Sequence, residues 1–201
     1  MPFTSSAKQD ALDAIAAATT HIGLLDRTKT ELTGGSPAYA RQTISWTAFA
    51  SDQRQGPTAQ KTFDVGPGLS AYFVSGHTAV TAGTQKFYWP LGNKAVQFAT
   101  VQASTDLITS YAHGLAAGNE VIVYDAFGTI PTGLTDETIY YVIATGLTTD
   151  AFSVSTTAGG AAVNITADGE MTFQQIVPET FGLQGTLAIG INQITMDSRA
   201  I

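Results

Sequence analysis

Ser75-Gly76-His77-Thr78 puts a hydroxyl and an imidazole within two residues of each other, the pair from which serine nucleophiles are built. A serine enzyme also needs its base within hydrogen-bond reach and a third group that orients the base, and no G-x-S-x-G elbow surrounds Ser75. His21 and His113 lie far off in sequence, and no histidine has a partner at the spacing of an H-E-x-x-H site. His113, in Ala-His-Gly-Leu, is expected to cap a tight turn through a backbone hydrogen bond, and His21 to sit satisfied at a strand edge. Asp136-Glu137 invites comparison with a glycosidase carboxylate pair, but neighbours on a strand point to opposite faces, so the pair reads as a solvated loop. Asp125, Asp136, Asp150 and Asp168 sit in or near Gly/Thr-rich turns. Without a D-x-D-x-D-G run they read as turn residues bonding their own backbone rather than as calcium ligands. Gly159-Gly160 is a turn, since no G-x-x-x-x-G-K phosphate loop follows. The expectation is a non-enzymatic protein with no catalytic residue, cofactor or metal.

Two aromatic pairs remain as contact candidates. In Tyr140-Tyr141, alternation sends one ring to the core and the other to the surface, where it is a candidate contact for glycan or a protein partner. In Tyr39-Ala40-Arg41, alternation with Ile44 and Trp46 sends both large side chains to the outer surface or end of the domain, as a candidate interface. Arg41 is expected to hold a specific carboxylate or carbonyl, in its own chain or the next subunit.

Composition narrows the class. Of 201 residues 44% are apolar and 12% charged, a combination that fits a compact β-rich protein with a hydroxylic surface and not a disordered chain. With no cysteine, disulfides, thiolate metal sites and cysteine nucleophiles are excluded. No apolar run approaches the roughly 20 residues of a membrane span, and MPFTSSAKQD lacks the pattern of a secretory signal, so cytoplasmic synthesis without the usual export route is expected. All nine Lys and Arg lie before residue 95 or after residue 178. Residues 97–177 carry eight of the sixteen carboxylates and so a charge of −8, leaving +1 on the rest. That break suggests a module boundary, and the missing basic patch argues against nucleic acid binding.

The elements that must position these residues are mostly strands. Ser6-Ala7-Lys8-Gln9 fits a capping box, with Asp10 and Asp13 near the helix start, Leu12, Ile15 and Ala16 at helical spacing and Thr19-Thr20 as the stop. Strands are expected at 21–25, at 39–49 after the Gly34-Gly35-Ser36-Pro37 loop, at 60–65, 69–76 and 85–91, and again around 186–191. Trp46, Phe49, Phe63, Tyr72, Phe73, Phe87 and Trp89 are expected to supply most of the core. Within 97–177, short segments at 106–110, 121–124, 138–144, 152–155, 161–165 and 171–176 read as a second small β domain.

The acidic stretch, through DLITSYAHGLAAGNEVIVYD and GTIPTGLTDETIYYVIATGLTTDAFSVSTTAGGAAVNIT, resembles a β module that recurs in bacteriophage virion proteins. The flanks, through THIGLLD, ELTGGSPAYARQTISW, TFDVGPG and PETFGLQGTL, resemble small tail-fibre-like or minor tail proteins of phages infecting actinobacteria. The resemblance implies that 97–177 is an insertion between two strands of an outer domain. The expected fold is mainly β: an outer β-sandwich of 1–96 plus 178–201 with an N-terminal helix, and an inserted acidic β domain of 97–177. The expected function is a tail-associated structural protein of a virion, assembled in the host cytoplasm. Its expected partners are other virion proteins and copies of itself, most simply a homotrimer, with no membrane insertion. A capsid decoration protein and a carbohydrate-binding adhesin module are the alternatives.

Overall fold

The computed structural model describes residues 4–48, 54–125, 128–191, 193–194 and 196–197. The chain is mainly β with one helix near its N-terminus, and it divides into two compact units: Met1–Leu91 with Pro178–Ile201, and Gly92–Val177.

The first unit opens with α1 (Ser5–Ala18). Its N-cap is Thr4, whose hydroxyl accepts from the Ala7 amide at 3.2 Å, so the cap lies two residues before the Ser6 position expected. Ala7 has no side chain to reach back, so the box is only half made and Gln9 has no capping role. The helix stops at Thr19, whose amide donates to the Ile15 and Ala16 carbonyls, and Leu12 is its buried apolar residue. Then follow β1 (His21–Leu25), β2 (Gln42–Thr43), β3 (Arg54–Gln55), β4 (Lys61–Val65), β5 (Leu69–Ala71), β6 (Phe73–His77) and β7 (Gln85–Pro90). A four-stranded antiparallel sheet runs in the order β2-β1-β6-β7.

The expected strand over 39–49 is the main departure. Only Gln42–Thr43 pairs with β1, and the chain then changes partner, with Trp46 bridging to Pro57 and Thr47 donating to the Gly56 carbonyl. A segment shared between two partners cannot keep one alternation along its whole length. Ile44 is buried and its neighbours Thr43 and Ser45 are exposed, as the pattern requires, but the rule does not extend back across Ala40. Phe49 lies outside the described residues. Phe63 and Phe73 are fully buried, whereas Trp46, Phe87 and Trp89 are half-buried and pack on one another at centroid separations of 4.1 to 6.3 Å.

The second unit holds β8 (Val96–Gln102), β9 (Leu107–Thr109), β10 (Glu120–Tyr124), β11 (Ile139–Ile143), β12 (Ala151–Ser155) and β13 (Gly169–Ile176). They close into an antiparallel barrel in the order β10-β11-β12-β9-β8-β13. Inward residues from every strand fill it, among them Val101, Ile108, Val121, Tyr140, Phe152 and Phe173. Residues 161–165 form no strand, although Ile165 reaches the core. The unit begins at Gly92, ahead of the boundary expected at 97, because β8 starts at Val96 opposite Gln174 and the Gln174 amide donates to the Lys94 carbonyl. At the other end a side chain added to Gly92 would lie 3.0 Å from the Val177 amide nitrogen, so the chain enters and leaves the barrel side by side.

In the first unit the returning chain supplies β14 (Glu179–Phe181), β15 (Gly185–Ile189) and β16 (Met196–Asp197), paired with β5, β4 and β3. Ile22, Leu24 and Val74 from one face of the four-stranded sheet pack with Phe63 and Val65 of β4 and Ile189 of β15, a sandwich-like arrangement.

Because the barrel core is drawn wholly from 92–177, that fragment alone should fold with cooperative thermal unfolding and a β-type circular dichroism spectrum. A fragment that stays unstructured would show that its core is not self-sufficient.

Candidate functional site

Strand β2 pairs only with His21 and Ile22, so the rest of that edge of β1 has backbone groups without a strand partner. A buried amide left unbonded is costly, and Leu24 is buried. Its carbonyl accepts from the Leu32 amide at 3.0 Å, and its amide donates to the Tyr39 hydroxyl at 2.7 Å. The phenol oxygen thus stands where a strand carbonyl would be. The same hydroxyl donates to Glu31 Oε1 at 3.1 Å. Arg41 closes on that carboxylate with two bonds, Nε to Oε1 at 2.7 Å and Nη2 to Oε2 at 2.6 Å, and its Nη1 donates to the Ala79 carbonyl at 2.8 Å.

The Gly-Gly-Ser-Pro loop delivers this arrangement. Gly34 and Gly35 adopt φ of 88° and 91°, conformations that side chains rarely tolerate, and the Tyr39 amide donates back to the Gly34 carbonyl at 2.8 Å. Gln184 clamps the loop from the returning chain, accepting from the Ser36 amide and donating to the Pro37 carbonyl. Gly23 supplies the room, since a Cβ there would lie 2.8 Å from the Tyr39 hydroxyl and 3.1 Å from Glu31 Oε1.

Tyr39 therefore points inward, with its ring stacked on Phe63 at 6.1 Å, and Arg41 has a side chain only 9% exposed. This corrects the expectation that both lie at the outer surface. The specific partners expected for Arg41 exist, a carboxylate and a carbonyl, and both are in its own chain.

Ser75 and His77 come together as well. Ser75 Oγ and His77 Nε2 share a hydrogen bond of 2.7 Å, but both residues are buried. The base is in reach, the serine is sealed from solvent, and no carboxylate orients the ring. Burial first, and the Arg41 guanidinium second, push the His77 pKa below its ordinary value against the opposing pull of Glu31. Burial also pushes the Glu31 carboxyl up, but the hydrogen bonds and charge of Arg41 together with the Tyr39 hydroxyl outweigh it and leave the pKa lowered. Burial, reinforced by the Glu31 charge, holds the Tyr39 phenol neutral well above its ordinary range. A cleft of about 340 Å³ runs beside the network, lined by Glu31, Tyr39, Arg41, Val80 and Ala82 among others. With its guanidinium fork closed on Glu31, Arg41 serves architecture rather than anion capture.

The remaining candidates fall elsewhere. His113 caps its turn as expected, accepting from the Leu115 amide at Nδ1 over 3.0 Å, with its ring edge-to-face on Phe152. His21 is not at an edge, because β1 is flanked by β2 and β6, and it shares hydrogen bonds with Thr20 and Thr43. Asp136, Asp150 and Asp168 accept from the amides of Asp125, Ala112 and Ala103, tying distant loops together rather than bonding their own turns. Only Asp125 acts locally, on Gly128. Asp136 and Glu137 are exposed in a loop. Tyr140 is buried in the barrel core with its hydroxyl accepting from the Thr135 amide, which removes it as a surface contact, while Tyr141 is half-buried. Among the described residues no cluster of three or more His, Asp or Glu could hold a metal ion, and no helix is long and apolar enough to cross a membrane.

Sequence reasoning missed Glu31, Gly23 and Gln184. The available signal for Glu31 was scarcity: few carboxylates lie near Arg41 in so weakly charged a chain. No protein-family model, curated protein or solved structure matches the chain.

Tyr39→Phe removes the acceptor of the Leu24 amide and should cost about 1–3 kcal/mol in chemical denaturation. A variant as stable as wild type would show that the phenol is not needed to complete the strand edge.

His77 titrates near about 6.5 when unfolded, and the folded chain binds fewer protons just below that value, so acidification through this window favours unfolding. Glu31 adds a lower limb: its stabilisation is complete above about 4.5 and is lost as pH falls through its depressed folded value. The melting temperature should therefore drop between about pH 7.5 and 5.5, and His77→Gln should remove most of that drop. Equal slopes in the two proteins would refute the assignment.

Proposed function

We propose that this chain is a non-enzymatic structural protein of a bacteriophage virion, tail-associated, in which the inserted barrel is an accessory module. The observation that carries the reading is where the polar chemistry goes. The Ser75–His77 pair is buried, and Asp106, Asp136, Asp150 and Asp168 of the barrel each hold a backbone amide of another loop. Side chains that elsewhere do chemistry here fix architecture, which suits a building block. The resemblance of both the barrel sequence and its flanks to virion proteins supports the same conclusion.

A particle component works in many copies, and a symmetric homotrimer is the simplest form for a tail appendage. Because Tyr39 and Arg41 are committed within the chain, the contact falls to their exposed neighbours, the loop of residues 34–38, and to α1 with its exposed Ile15. Exposed Leu183 and Tyr111 add apolar surface without charge.

Immunogold labelling of purified particles, followed by a cryo-EM map, should place the protein on the tail in repeated copies touching one another. Label on the head would favour capsid decoration. Absence from the particle, or single copies with no like neighbour, would sink the reading.

A further inference from the structure

Tyr111 is 88% exposed, yet the backbone on both sides of it is fixed by one residue. The Ser110 amide donates to the Asp150 carbonyl at 2.9 Å, and the Ala112 amide donates to Asp150 Oδ1 at 2.7 Å. Ala112 adopts a φ of 48°, a left-handed conformation that is costly for a residue with a Cβ, and the bond to the carboxylate holds it there. An aromatic ring left in water on a backbone so held is a contact surface ordered in advance of any partner.

An open cleft of about 430 Å³ begins at the next residue, walled by Ala112, His113, Gly114, Leu115, Leu147 and Thr149 among others. Thr109 pairs with Ala151, so the connections 110–119 and 144–150 leave the same end of the barrel. The 125–138 connection leaves the opposite end. His113 ties the wall to the barrel core, with its Nδ1 accepting from the Leu115 amide and its ring edge-to-face on Phe152. The volume is inside the roughly 300–1,000 Å³ of small-molecule sites. Three exposed polar groups surround it: the Tyr111 and Thr149 hydroxyls and Asp150 Oδ2. None of them makes a hydrogen bond among the described residues, since Asp150 uses only Oδ1 on Ala112.

We propose that this end of the barrel binds a neutral saccharide, whose apolar ring face stacks on Tyr111 and whose hydroxyls donate to Asp150 Oδ2 and exchange hydrogen bonds with Thr149. The chemical class follows from the groups present. An exposed phenol ring favours a flat apolar face, and the leucines of the cleft favour a ligand with some apolar surface. A free carboxylate oxygen and two hydroxyls call for a ligand rich in donors. A pyranose offers both together. Lys94 is the single cation of Gly92–Val177 against eight carboxylates, so an anionic sugar is repelled. That charge attracts a cation, but no carboxylate is among the described residues of the cleft wall to pair with one once it is desolvated. The inference goes beyond the virion reading and does not depend on it. It gives Tyr111 a partner other than a copy of the chain, and the glycan contact expected at Tyr140-Tyr141 falls to Tyr111.

The test titrates the full isotope-labelled chain with glucose, galactose, mannose, rhamnose and N-acetylglucosamine at millimolar concentration, with glucuronic acid and lysine as charged controls. At least one neutral sugar should shift the amide resonances of Ala112, Gly114 and Thr149, and neither charged control should. Tyr111→Ala should weaken binding by about tenfold and Tyr111→Phe should retain most of it. Both variants should melt with wild type, because the side chain is exposed. Thr149→Val should weaken binding several-fold at nearly constant volume. Silence from every neutral sugar, shifts confined to other loops, undiminished binding by Tyr111→Ala, or tighter binding of either charged control overturns the proposal. Loss of self-association in Tyr111→Ala with sugar binding intact also overturns it, by assigning the ring to an interface between copies.

Discussion

The outer unit depends on one unfinished strand edge. β1 is the buried second strand of its sheet, yet its neighbour β2 covers only two residues, and what lies beyond must be satisfied by other means. The Tyr39 hydroxyl meets that need for the Leu24 amide, and everything around it follows in sequence. A phenol that accepts from an amide has a proton to place, and Glu31 takes it. A half-buried carboxylate needs a countercharge, and Arg41 supplies one with two bonds. The third arm of the guanidinium then fixes the Ala79 carbonyl, so the β6–β7 connection is held by the same chain of requirements. Glycine at position 23 is the steric condition for all of it.

The inserted unit solves the edge problem the opposite way, by closing. Every strand of the barrel has two neighbours, and no side chain has to stand in for a missing strand. Its carboxylates are therefore available to lace loops together, as Asp168 does across 65 positions of sequence to Ala103. This also explains how a stretch with no Lys or Arg keeps its acidic residues within a fold: backbone amides, which carry partial positive charge, are their partners.

Local patterns in the sequence were faithful where an element stays one continuous strand. β1, β4, β7 and the barrel strands after residue 106 stand close to where their alternation and turns placed them, and the His113 cap was legible from Ala-His-Gly-Leu alone. Failures came where tertiary bonding divides an element. Residues 39–49 alternate like a strand but answer to two partners, so the side-chain directions drawn for Tyr39 and Arg41 were inverted. β8 went unnoticed because its outward positions, Val96 and Phe98, are apolar and exposed, which blurs the contrast between faces. The bond between Ser75 and His77 fits residues two apart sharing one face of a strand, whereas their burial depends on what covers that face, which no local pattern encodes.

Closure of the barrel has a consequence for crowding. An open sheet presents a row of unbonded amides and carbonyls, and identical copies held close together can add to one another along it. A closed circuit of hydrogen bonds offers no such template, and eight carboxylates against the single Lys94 make neighbouring modules repel. Copies of this module packed at high local density would stay separate bodies, resistant to the lateral strand addition that begins a fibril.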